Sequence, residues 1–173
     1  MLGATLAVAA TSSASPLRSE PSELATLLRL ARERHAVVEL GTGTAWSAIA
    51  LALGDRTRRV VSYDPCVRPE RDAYLARAWP DVRERIEFRS EPDCSGPRAG
   101  ESVELLFIDS SHDRESVVAA FRAWGDALVP GAAVAFHDYD HPSYPGVREA
   151  IVDLGLSGEQ HGGLFVWCAP GRS

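Results

Sequence analysis

The sequence has no lysine and no asparagine, and all 18 of its basic residues are arginine. Without lysine there is no Schiff-base nucleophile and no lysine general base. Without asparagine there is no N-glycosylation acceptor and no ligand from that residue type. Cysteine is scarce. Cys66, Cys94 and Cys168 stand far apart, without the spacing of a metal site, and read as reduced thiols of a cytoplasmic protein. No apolar run reaches the ~18–20 residues that span a bilayer, so no membrane partner is expected. An excess of base is missing too. The net charge of −6 is the wrong sign for a surface that tracks phosphates, and no nucleic-acid partner is expected. There is no internal repeat, low-complexity tract or linker. What remains is 173 residues of ordinary globular composition, enough for one domain.

Residues 2–10 are small and apolar, and Ser12-Ser13-Ala14-Ser15 follows. The basic stretch that opens a secretory signal is missing. Residues 1–20 are therefore expected to be a flexible or lid-like segment over a ligand cleft, ahead of a single domain at 21–173.

The stretch Val37-Val38-Glu39-Leu40-Gly41-Thr42-Gly43-Thr44-Ala45-Trp46-Ser47 organises that domain. Two β-branched residues run into an acid, then into a turn with glycine at alternate positions, then into an apolar helical run that stops at Gly54. Glycines let the backbone turn tightly and approach a ligand, and the helix N-terminus offers free N–H groups to an anion. The next strand, residues 59–63, ends at Asp64, about where such folds place a ribose-binding carboxylate.

Elsewhere the pattern alternates. Leu24, Leu27, Leu28 and Ala31 recur at helical spacing. Pro69 opens a helix whose apolar side is Tyr74, Leu75, Ala78 and Trp79, and Pro80 is expected to end it. Residues 86–89 form a third strand and 103–108 the most apolar one, as suits a buried central strand. Val117, Phe121, Trp124 and Leu128 mark another helix. Residues 132–136 form a fifth strand, Val147, Ile151 and Leu154 a last helix, and 156–168 two closing strands broken at Gly162-Gly163. The expected fold is α/β: a Rossmann-like doubly wound sheet, mostly parallel with an antiparallel last strand, and helices on both faces. Trp46 is expected in the core, and Arg56, Arg58 and Arg59 in a solvated turn.

In open α/β sheets ligands lie beyond the carboxyl ends of the strands. Glu39, Asp64, Glu91 or Asp93, Asp109 and His137-Asp138 all fall there. The order of Glu39-x-Gly41-x-Gly43, Asp64, a buried strand ending at Asp109, and Leu128-Val129-Pro130-Gly131 resembles the class I S-adenosylmethionine-dependent methyltransferases. The turn resembles that of the catechol and caffeoyl-CoA O-methyltransferases, with Ala45 in place of a glycine. Ile108-Asp109-Ser110-Ser111-His112, Phe136-His137-Asp138-Tyr139 and Pro145-Gly146-Val147-Arg148-Glu149-Ala150-Ile151 resemble the macrolide-sugar O-methyltransferases of the macrocin and mycinamicin type.

The resemblance implies roles. Gly41 and Gly43 would pass the methionine part of the cofactor, Ser47 would bind its carboxylate, and Glu39 would sit near its ammonium. Asp64 would hold the ribose, and Glu91, or failing it Asp93, the adenine. Asp109, which also borders the cofactor, and Asp138 match carboxylate ligands of a divalent metal such as Mg2+. The third family ligand is an acid, and that place is His137 here, which leaves open another metal, a weak site or none. His112 matches the general base that takes a proton from the acceptor, and a histidine side chain titrates near neutral pH. The implied activity is transfer of a methyl group from S-adenosylmethionine (SAM) to a hydroxyl of a small molecule such as a natural product. The alternatives are a nicotinamide (NAD)-dependent oxidoreductase and a non-catalytic cofactor-binding partner subunit. The sequence leaves room for a homo-oligomer.

Overall fold

The computed structural model describes residues 21–171; the N-terminal segment expected to form a lid lies outside them. The elements run α1 (Pro21–Leu30), β1 (Ala36–Leu40), α2 (Trp46–Gly54), β2 (Arg59–Tyr63), α3 (Pro69–Leu75), α4 (Pro80–Arg83), β3 (Ile86–Arg89), β4 (Val103–Ile108), α5 (Arg114–Trp124), β5 (Leu128–Phe136), α6 (Pro145–Asp153), β6 (Glu159–His161) and β7 (Leu164–Cys168). The seven strands form one sheet in the order β3-β2-β1-β4-β5-β7-β6. The first five pair in parallel, and β7 pairs antiparallel with both β5 and β6. The expected fold is the observed one, down to the closing hairpin at Gly162-Gly163.

Alternation along each strand sorts the core onto two faces. Val37, Leu105 and Phe107 face Leu27 of α1, Ile49 and Leu51 of α2, and Val82 of α4. Val38, Leu40, Leu106, Ile108 and Phe136 face Val117 and Trp124 of α5, and Val147 and Ile151 of α6. Both faces are covered, which is why β4 reads as nearly continuous apolar sequence. Helix α2 carries small residues because it packs so closely: Ala48, Leu51 and Ala52 have no exposed surface.

Three expectations need correction. The helix opened by Pro69 ends at Leu75, and Pro80 starts the short α4 instead of stopping a longer helix. Proline suits that first position because its missing N–H would be unpaired there anyway. Trp79 is exposed, not part of an apolar helix face. Arg58 is buried, not solvated. Its guanidinium donates to the carbonyls of Leu51 (2.6 Å), Arg34 (2.8 Å) and Ala31, which end α2 and the turn after α1. One cation thus satisfies the carbonyls that helix ends leave over.

Candidate active site

The register of the sheet builds the site. Tyr63, Leu40, Ile108 and Phe136 lie in one row across β2, β1, β4 and β5. The residues that follow them, Asp64, Gly41, Asp109 and His137, therefore form a continuous rim. Backbone bonds carry the row one step further: Gly41 N–H to Tyr63 O, Asp109 N–H to Leu40 O, and His137 N–H to Ile108 O, at 2.8–3.0 Å. Sequence order reverses direction between β1 and β4, so the rim lies at the switch point where such sheets bind ligands. A cavity of about 1180 Å³ opens there. Gly41, Gly43, Ser47, Asp64, Asp93, Asp109, His112, His137 and Asp138 are all on its wall.

The glycine turn leaves no room for a side chain at Gly41. Gly41 has φ +102°, and a Cβ there would lie 2.0 Å from the Asp109 carbonyl oxygen. Gly43 also has positive φ, and its N–H donates to Asp64 Oδ2 at 3.0 Å. The other Asp64 oxygen accepts the Cys66 N–H at 2.8 Å. Ala45 is held in the left-handed region at φ 60°. That conformation costs a residue with a Cβ roughly 1–2 kcal/mol, so the turn tolerates some strain to keep its shape.

Glu39, expected near the cofactor's ammonium, lies near the end of β1. It is fully buried beneath the turn and is not on the cavity wall. Ser62 Oγ donates to one of its oxygens at 2.5 Å, Ser47 Oγ donates to the other, and Thr42 Oγ1 lies 2.7 Å from Ser62 Oγ. Burial pushes the carboxyl up to about 7 against the pull of the two serine hydroxyls. Ser47 reaches the wall, but its hydroxyl proton is taken by Glu39. Thr44 Oγ1, by contrast, is buried beside the cavity with no hydrogen-bond partner among the described residues. Glu91 is the first of the two acids expected at the adenine. It forms an ion pair with Arg98 at 2.8 Å and lies off the wall, whereas Asp93 is on it. Asp93 is fixed by Ser110 Oγ, which donates to Oδ2 at 2.5 Å, and by Trp124 Nε1, which donates to its carbonyl at 2.8 Å. Trp46, expected in the core, is half-buried on the cavity wall.

At the far end of the rim four side chains converge. Ligand atoms of Asp109, His112, His137 and Asp138 all lie within 4.8 Å of one another. His137 Nδ1 is 3.0 Å from Asp109 Oδ1 and 3.3 Å from Asp138 Oδ2. His112 Nε2 is 2.9 Å from Asp138 Oδ2 and 3.8 Å from Asp109 Oδ1. These contacts are short but misaligned. Both nitrogens are shut off from solvent, yet neither has a hydrogen-bond partner among the described residues. Nitrogens and oxygens aimed at a shared centre instead of at each other fit a cation between them. Asp138 sits at a left-handed φ of 56°, a further sign of strain at this spot. Burial disfavours a charged His137, but Asp109, Asp138 and Glu23 more than offset it, and its pKa is raised. Burial likewise opposes charge on Asp138, and His112 and His137 outweigh it, so its carboxyl is held well below the usual range. The pocket is built around positive charge.

Two residues were missed. Glu23, in the first turn of α1, is buried and lies 3.0 Å from His137 Nε2 through Oε2. Tyr144 stacks on His112 at 4.2 Å between ring centroids and on His141 at 4.7 Å, at the cavity edge. Neither carries a sequence signature, because an acid in the first turn of a helix and an aromatic just before one are ordinary features.

Residues 38–139 match the family model described as a methyltransferase domain. No curated protein matches the sequence. Among solved structures, the chain resembles CalS11, a TDP-rhamnose 3'-O-methyltransferase of calicheamicin biosynthesis. The TM-score is 0.65 at 19% identity, over 84% of this chain and 77% of that one. It also resembles the O-methyltransferase TomG of Streptomyces achromogenes, involved in tomaymycin synthesis and solved with SAM, with TM-score 0.68, 21% identity and coverages of 90% and 82%. A third likeness is the N-methyltransferase NodS of Bradyrhizobium japonicum, solved with S-adenosylhomocysteine (SAH), with TM-score 0.63, 18% identity and coverages of 93% and 94%. At these identities the structures speak for the fold, while the family model covers more than half of the sequence and includes every strand-end residue from Glu39 to Asp138. The chain belongs to the methyltransferase family.

Proposed function

We propose that the protein transfers a methyl group from SAM to a hydroxyl of a small molecule, in the manner of an enzyme acting on natural products. The observation that carries this is convergence. The glycine turn, the Asp64 carboxylate and the Asp109–His112–His137–Asp138 cluster line one cavity in that order, so a cofactor laid along the rim ends beside a base. CalS11 and TomG, both O-methyltransferases of natural-product synthesis, support the acceptor class. The three free, exposed cysteines fit a reducing, cytoplasmic setting.

Gly41 and Gly43 leave the backbone open to the methionine part. Thr44, whose hydroxyl has no partner among the described residues, joins the N–H groups at the start of α2 in holding the carboxylate. Ser47 and Glu39 act beneath them by fixing the turn. Asp64 accepts the ribose hydroxyls with lone pairs its backbone bonds leave over. Asp93, not Glu91, receives the adenine. Bound SAM supplies a methyl group on a positively charged sulfur, a good electrophile with a neutral leaving group. His112 takes the acceptor's proton at Nε2 as the oxygen attacks, and Tyr144, stacked on its ring, holds the imidazole in place. Asp109, His137 and Asp138 would hold a divalent cation, which would lower the pKa of an acceptor hydroxyl beside it.

The test is binding of SAH compared with NAD by thermal shift and calorimetry. SAH is expected to raise the melting temperature and NAD to leave it unchanged, because only a ligand of the native state stabilises by mass action. Stabilisation by NAD alone would replace this reading with a nicotinamide-dependent one.

A further inference from the structure

His137 reaches the acidic cluster through Nδ1 and turns its other nitrogen away. Nε2 points back to Glu23 of α1, a carboxylate with only 8% of its surface exposed. A neutral imidazole carries one N–H, and the hydrogen bond made by one nitrogen decides the state of the other. Glu23 Oε2 lies 3.0 Å from His137 Nε2, placed to accept from an Nε2–H. With an ion in place of the Nδ1 proton, Glu23 would keep the remaining proton on Nε2, and the Nδ1 lone pair would serve the ion beside Asp109 and Asp138. Gly163 contributes by what it lacks, since a Cβ there would sit 2.0 Å from Glu23 Oε1. His137 itself is clamped edge-on by Phe107, with ring centroids 6.1 Å apart.

We propose that Glu23, His137 and a divalent ion between Asp109 and Asp138 form a carboxylate–histidine–metal triad, and that this makes the site select a transition ion such as Co2+ or Zn2+ over Mg2+. The inference rests on the metal reading of the cluster given above. Its chemistry differs from an all-oxygen site in a definite way. Mg2+ demands oxygen donors in near-ideal octahedral geometry, whereas an imidazole nitrogen suits Zn2+ and its first-row neighbours. A carboxylate behind the histidine makes the ligand nitrogen more basic and holds its ring, and such partners change metal affinity by about 10- to 100-fold. Glu23 would act on the ion through His137, so it is a positioning residue.

The experiment titrates Co2+ into EDTA-stripped protein and follows the visible ligand-field bands, with Mg2+ as competitor. In parallel, proton NMR of the Co2+ form looks for a paramagnetically shifted, exchangeable imidazole N–H, the signature of Nδ1 ligation with the proton on Nε2. Wild type is expected to hold Co2+ against a 100-fold excess of Mg2+ and to show that resonance. His137→Ala should abolish the resonance, and Glu23→Ala should weaken Co2+ binding about 10- to 100-fold. SAH affinity measured on the same samples reports that the variants are folded. Displacement of Co2+ by equal Mg2+, absence of the shifted N–H, or wild-type Co2+ affinity in Glu23→Ala would overturn the triad. SAH binding with no Co2+ binding would remove the ion and leave the methyltransferase assignment standing, whereas loss of SAH binding by wild type would remove the assignment itself.

Discussion

Gly41 and Thr44 sit three residues apart in one turn and make opposite predictions. At Gly41 a methyl group would meet the Asp109 carbonyl at 2.0 Å, at a φ that side chains rarely adopt. Neither partner is the end of a flexible side chain. Gly41→Ala is therefore expected to destabilise the protein by about 3 kcal/mol or more, read as a drop in the urea midpoint, and to abolish SAH binding. Thr44 has a buried hydroxyl that bonds to none of the described residues. Thr44→Val keeps its shape and removes that unsatisfied group. The ligand-free variant should be at least as stable as wild type, by up to about 1 kcal/mol. Its SAH affinity should nevertheless fall, as calorimetry would show. A loss of stability without a loss of affinity would mean that the hydroxyl serves the fold. Gains in stability at the expense of binding are what a group reserved for a ligand produces.

At the scale of elements, Arg58 ties the end of α2 to the turn after α1 through three carbonyls. Arg58→Met keeps the buried stem and orphans those carbonyls, and about 2–4 kcal/mol of stability should go with them, measured by urea unfolding. SAH affinity should change little, because the residue lies away from the cavity. A run of three arginines between a helix and a strand reads as a solvated turn, and only the packing of α1 over α2 makes the middle one a cap. The same limit explains the other misses. Strand ends were legible because hydrophobic runs stop abruptly at acids, and the parallel register then forces Asp64, Asp109 and His137 onto one rim. Which loop acid faces the cavity was not legible. Asp93 does so because Trp124, from a different element, holds its carbonyl, while Arg98 draws Glu91 away. Glu23 was invisible for the same reason: 114 residues separate it from His137, and local pattern carries no trace of such a contact.

For the whole molecule, Glu39 couples stability to pH. Its carboxyl is raised to about 7, from an ordinary carboxylate value, by complete burial between β1, β2 and α2. A raised acid in the native state binds its proton more tightly than in the unfolded chain. Its contribution is thus fully present below pH 4.5 and is lost as the pH rises through about 7. The urea midpoint of wild type should fall across that window by more than that of Glu39→Gln, which keeps one acceptor and one donor for the serines and carries no charge. Parallel pH profiles of the two proteins would contradict the assignment.

The central claim is that one rim of the sheet holds the cofactor and aims it at the Asp109–His112–His137–Asp138 cluster. A crystal structure with SAH bound tests it most directly. The ribose hydroxyls are expected on Asp64, the carboxylate at Thr44 and the start of α2, and the sulfur facing His112 across the cavity. SAH seated with its ribose away from Asp64, or with its sulfur pointing away from that cluster, would contradict the account.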